Sequence, residues 1–178
     1  GYVLLVEGGR IDHAHHGGNA YRALKDAQAF SDAVNTAIKK VSLDDTLIIV
    51  TADHSHVFTM AGYPARGNPI LGLVHRPDGQ DGQMDDPHLA NDGKPYTTLG
   101  YHNGPGAVTE GRQELSEDTP LQHNYRQQAL VPLNSETHGG EDVAIYATGA
   151  GSQLISGVME QNVIYHIMHH ALRERLDH

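Results

Sequence analysis

Three short stretches of this chain concentrate side chains that bind metal ions. The first is Glu7-Gly-Gly-Arg-Ile-Asp12-His13-Ala-His15-His16, and the second is Thr51-Ala-Asp53-His54-Ser-His56. The third is Glu136-Thr-His138-Gly-Gly-Glu-Asp142. Carboxylate and imidazole are hard-to-borderline donors suited to zinc. Asp12 and His16 are four residues apart, so one helical turn sets both on the same face. Asp53 and His54 are adjacent, and neighbours on a strand point to opposite faces. Both can reach one ion only where the strand has broken into a loop. Glycines beside His138 permit close backbone approach and leave its ring accessible. Any one cluster alone is more often a capping acid or a surface histidine than a ligand. Three of them, each at the edge of an expected strand, point to a metal site.

The elements that must position these residues are short. Apolar runs at Tyr2–Val6, Thr46–Thr51 and Asp142–Thr148 read as buried strands without clean alternation, as expected of strands covered on both faces. Glu7 then sits at the end of the first, where its carboxylate could face the same cavity. Between the first two runs, Ala20, Ala23, Leu24, Ala27, Phe30, Val34, Ala37 and Ile38 form a helical stripe. It predicts a helix over 20–40, with Lys39 and Lys40 favouring its C-terminal end. A last helix is expected from Glu160 to Arg175, with Val163, Ile164, Ile167, Met168 and Leu172 facing inward. Its His166, His169 and His170 read as a packed or solvated helix face. Strand–helix–strand–helix spacing argues for an α/β fold, a layered sheet with helices on both faces.

Residues 61–136 break that rhythm, being rich in Gly, Pro, Asp and Gln. The stretch is too long for a plain connection. It predicts a small inserted subdomain with a few strands of its own, with 76–95 as an exposed loop. The core is then 1–60 together with 137–178. The chain begins Gly1-Tyr-Val-Leu-Leu-Val, and a buried strand is a poor place for a natural chain to start. It is therefore read as a piece of a longer protein.

Composition narrows the chemistry. With 22 acidic against 12 basic residues the net charge is −10, which argues against a nucleic-acid partner. No apolar stretch approaches membrane-spanning length. Cysteine is absent while histidine reaches 14 residues, so any zinc must be held by imidazole and carboxylate.

At these residues the chain resembles the alkaline phosphatase family, in the form carrying an enlarged crown insertion. The strings that carry the resemblance are Leu-Val-Glu-Gly-Gly-Arg-Ile-Asp-His-Ala-His-His, Thr-Ala-Asp-His-Ser-His, Gly-Tyr-Pro-Ala-Arg-Gly-Asn, Asn-Gly-Pro-Gly, Tyr-Arg-Gln-Gln and Glu-Thr-His-Gly-Gly-Glu-Asp-Val. They run in family order from residue 1 to about 172. The resemblance implies that this is the C-terminal portion of the family's fold, with 61–136 as the crown. It implies Asp12, His16 and His138 as ligands of a first zinc, Asp53 and His54 as ligands of a second, and Glu7 as a magnesium ligand. His13 and His56 match positions near the metals, where they would orient ligands or water.

The family's chemistry is hydrolysis of phosphate monoesters through a phosphoserine intermediate, with inorganic phosphate released. Two ions about 4 Å apart assist the attacking and leaving oxygens. The resemblance further implies a periplasmic or secreted homodimer, and the missing N-terminal part of the same chain as a partner. The family's Asp-Ser-Ala nucleophile motif does not occur here, and Ser55 does not match it. The chain therefore carries no catalytic nucleophile, and no turnover is expected from it alone. The competing expectation is a folded metal-binding module without catalysis of its own.

Overall fold

The computed structural model describes residues 1–173. The chain divides into two compact units. One comprises 1–7, 29–55 and the described chain from 141 to 173; the other comprises 8–28 and 56–140.

The second unit holds most of the buried residues. Its first element is the short helix α1, Arg10–His16. Gly18, at φ +67°, turns the chain out of α1, a conformation that glycine adopts without steric cost. Asn19 then caps α2, Ala20–Lys40. Its side-chain oxygen accepts the Arg22 N–H at 3.0 Å, and its amide donates to the His123 carbonyl. This is an N-cap bond of the ordinary kind, joined to a tertiary one. Ala20 and Ala23 are buried at the start of α2, where the Gln127 side chain accepts the Ala20 N–H. The helix expected over 20–40 is present with those bounds.

A three-stranded sheet forms the frame of this unit. Strand β3, Phe58–Met60, runs antiparallel to β4, Leu99–Gly104, with Phe58 opposite Tyr101. Strand β5, Ala129–Pro132, pairs with β4 in parallel, Tyr101 opposite Ala129. Along β4 the side chains of Leu99, Tyr101 and Asn103 are buried while His102 is exposed, the alternation a half-covered strand requires. Leu73 and Val74 complete the core at 1% exposure each. Two further strands are only two residues long, β2 at Ser55–His56 and β6 at His138–Gly139.

In the first unit, β1, Leu47–Val50, pairs antiparallel with β7, Tyr146–Gly149. A 3-10 turn at Ser152–Leu154 and the helix α3, Asn162–Arg173, follow. Ile167 is the buried residue of α3, with Val163 and Ile164 partly covered. Met168 and Leu172, expected to face inward, are exposed. The last two residues of the helix expected to Arg175 lie outside the described residues. Among the described residues no helix is long and apolar enough to cross a membrane.

Two strand expectations need correction. Tyr2–Val6 forms no strand and is 58–90% exposed. A strand exists only where a neighbour takes up its N–H and C=O groups, and no described segment pairs with this one. The run at Asp142–Thr148 is a strand only from Tyr146. Its pairing with β1 is antiparallel, so the α/β content of this chain is organised in small sheets.

Candidate metal centre

The histidines and acids of the first and third clusters meet inside the second unit. On α1, Asp12 and His16 project one turn apart, with Asp12 Oδ1 3.3 Å from His16 Nε2. His138 comes from 122 residues further along the chain, and its Nε2 lies 3.2 Å from His16 Nε2. It lies 3.7 Å from Asp12 Oδ1. One side-chain atom from each of the three therefore converges on one point.

The spacing fits a small tetrahedral cation. Ligand atoms about 2.0–2.1 Å from a zinc ion are separated from one another by about 3.3–3.4 Å. The three separations here, 3.2, 3.3 and 3.7 Å, bracket that edge. Hydrogen bonding points the same way. His16 Nδ1 donates to the main-chain carbonyl of Glu136 at 2.6 Å. That bond fixes the tautomer, leaving the Nε2 lone pair directed at the cluster. The donor set, one carboxylate and two imidazoles, is one zinc accepts. The side chains of Asp12 and His16 are about one-third exposed and that of His138 is 50% exposed, so the cluster is open to solvent on one side.

Behind it lies a buried polar layer. The Glu136 side chain is fully buried. Its Oε1 accepts the Val57 N–H at 2.8 Å and its Oε2 accepts His56 Nδ1–H at 2.7 Å. A buried carboxylate is tolerable only with such partners; stripped of it, each donor would cost about 1–3 kcal/mol. The other nitrogen of His56 lies 3.1 Å from Asp12 Oδ1. His15 stacks on His56 with ring centroids 4.6 Å apart, and its Nδ1 is hydrogen-bonded to the Tyr101 hydroxyl at 2.8 Å. Burial, followed by the nearby His56, lowers the His15 pKa to about 4. Burial, reinforced by the Glu136 charge, raises the Tyr101 phenol well above its ordinary value. The pair is thus a neutral imidazole and an un-ionised phenol at physiological pH.

The other expected site residues are distributed as follows. His56 sits within the polar layer just described. His13 is exposed on α1, its Nδ1 3.4 Å from the Arg10 guanidinium. Asp53 and His54 belong to the first unit and lie beyond the end of β1, as the loop reading required. His54 Nε2 is 3.5 Å from Asp53 Oδ2, and His54 Nδ1 is bonded to the Ser55 carbonyl. Glu7 is exposed, and among the described residues it joins no cluster of potential ligands. Ser55 donates to Glu141 at 2.6 Å, which holds that carboxyl below its ordinary value.

Two residues had no role assigned from sequence, Glu136 and His15. For Glu136 a signal was there: it stands two residues before His138, so in extended chain the two share a side. For His15 no local signal distinguishes a ring that packs inward from one in solvent.

The sequence profile of the alkaline phosphatase family matches residues 1–174. The tissue-nonspecific isozyme of alkaline phosphatase from Felis catus is 48% identical over 183 residues, covering 100% of this chain and 33% of that protein. The corresponding isozyme of Gallus gallus is 50% identical over 173 residues, covering 96% of this chain and 31% of the relative. That of Homo sapiens is 47% identical over 174 residues, with the same coverage. The chain spans about a third of the length of these relatives. A profile match along nearly the entire chain, with about every second residue identical, makes this chain a member of the alkaline phosphatase family.

Proposed function

We propose that this chain supplies the metal-binding C-terminal part of a phosphatase that hydrolyses phosphate monoesters through a phosphoserine intermediate. The observation that carries the reading is the meeting of Asp12, His16 and His138 at zinc-like spacing. In this reading the three hold the first zinc. Asp53 and His54 contribute to a second zinc and Glu7 to magnesium, assignments supported by family membership and by their positions in the motifs. Zinc bound at such a site acts as a Lewis acid toward phosphoryl and leaving-group oxygens.

The chain's own residues have separable tasks. Asp12, His16 and His138 bind; the Glu136 carbonyl directs the His16 lone pair outward; His56 sits between Glu136 and Asp12. The nucleophilic serine and the rest of the sheet belong to the remainder of the protein. There the layered arrangement of helices about one sheet, the crown at 61–136 and a homodimer are proposed from the family. The one-third share of the relatives' length that the chain spans supports a longer protein, and a periplasmic or secreted location is proposed from the family.

The full protein is expected to hydrolyse an aryl phosphate, lose that activity to a chelator and regain it with zinc. Hydrolysis indifferent to chelation would overturn the proposal. A narrower reading, a metal-binding module without turnover, is favoured by one observation: all three donors lie within one compact unit. It predicts zinc binding by the full protein with no hydrolysis at any metal loading.

A further inference from the structure

We propose that Glu136 is a positioning residue of the metal centre, orienting His16 with its main chain and His56 with its side chain. The inference rests on the reading of Asp12, His16 and His138 as a metal site. It concerns a residue that gives that site no ligand atom.

The main-chain half is a reciprocal pair. Glu136 N–H donates to the His16 carbonyl at 3.0 Å, and the Glu136 carbonyl accepts His16 Nδ1–H at 2.6 Å. Together these pin the end of α1 to the segment entering β6, where His138 stands two residues on. The segment is itself held: Asn103 accepts the Thr137 N–H at 3.0 Å and donates to its hydroxyl at 2.9 Å. The side-chain half acts on His56. A carboxylate only accepts, so Oε2 at 2.7 Å obliges His56 Nδ1 to carry the proton. Oε1 is occupied by Val57 N–H, from the residue after His56. Ring and backbone are therefore fixed by one carboxylate. The His56 ring in turn stands edge-on to both imidazoles of the cluster, 5.2 Å and 83° from His16, 5.4 Å and 82° from His138. Its Nε2 faces Asp12 Oδ1 at 3.1 Å. Both imidazoles of the cluster thus pack against a ring that Glu136 orients. Space for the side chain depends on Gly104, where a Cβ would sit 3.1 Å from that of Glu136.

The test uses Glu136→Gln in the full-length protein. The amide keeps the volume but cannot offer acceptors to both Val57 N–H and His56 Nδ1–H. Zinc affinity is read by chelator competition, and ligand geometry by the visible spectrum of the Co²⁺-loaded protein. The expected result is about 10–100-fold weaker zinc binding with an altered Co²⁺ band. A purely structural role would lower the unfolding midpoint of the metal-free protein and leave the Co²⁺ band as in wild type, which overturns the proposal. So does affinity within threefold of wild type. His56→Asn is the second variant, and it decides the matter if Glu136→Gln fails to fold. It is expected to show a similar loss, and the double variant to be little worse than either single one. Wild-type affinity in His56→Asn overturns the proposal. Asp12→Ala separates the two levels of inference. If it loses zinc while Glu136→Gln does not, the positioning role alone fails; if it retains zinc, the metal-site reading fails with it.

Discussion

Asp12→Ala removes one of three donors while leaving both imidazoles in place. Donor separations of 3.2, 3.3 and 3.7 Å are compatible with a cation about 2.1 Å from each atom. Four-ligand structural zinc sites bind with about 10–16 kcal/mol at pH 7, or about 2.5–4 kcal/mol for each ligand. A three-donor site open to solvent belongs at the low end, and losing one donor then weakens binding about 100-fold. The remaining His16–His138 pair would chelate weakly, its nitrogens 3.2 Å apart. Competition against a chromophoric chelator, with metal content by mass spectrometry, measures the change. Affinity within a factor of three of wild type would refute the reasoning, because it would mean that Oδ1 contributes nothing despite its place in the cluster.

Three further substitutions test the backbone and an ion pair elsewhere in the chain. Gly149 has φ +89°, and a Cβ there would lie 2.0 Å from the Thr46 carbonyl, whereas Gly93 at φ +75° meets nothing within 4 Å. Gly149→Ala is expected to cost about 3 kcal/mol or more and Gly93→Ala about 1–2 kcal/mol; equal costs in urea unfolding would contradict this. Hydrogen bonding to the Arg112 guanidinium, with Nε 2.9 Å from Oδ2, holds the Asp92 carboxyl below its ordinary value. The folded pKa lies under the unfolded one, so the pair stabilises above the unfolded value and that contribution is lost as pH falls through the folded one. Arg112→Gln should raise the Asp92 pKa and flatten the acid limb of the stability profile. An unchanged carboxyl titration by NMR would count against it.

What could be read in advance was whatever depends on residues close in sequence. The α2 stripe has a 3.6-residue period, and Asp12 and His16 are one turn apart. Each signal survives without knowledge of the rest of the fold. Tyr2–Val6 was misread because apolarity shows that a segment has something to hide and not what hides it. The exposed Met168 and Leu172 on α3 are the same error in a helix. Glu136 had a local signal in its spacing from His138, but its burial had none, for the opposite reason. An acid in a Gly- and Ser-bearing loop looks solvated, and its burial is created by Val57 and His56, about 80 residues away. His15 is similar, since its partner Tyr101 lies 86 residues further on. Family resemblance supplied what spacing could not, namely that His138 belongs with Asp12 and His16.

The most direct test is anomalous diffraction at the zinc edge from crystals of the zinc-loaded protein. A peak is expected about 2.0–2.2 Å from an Asp12 carboxylate oxygen, His16 Nε2 and His138 Nε2. A fully loaded crystal with no peak among these three atoms, or with the His138 ring turned away from the Asp12–His16 pair, would contradict it.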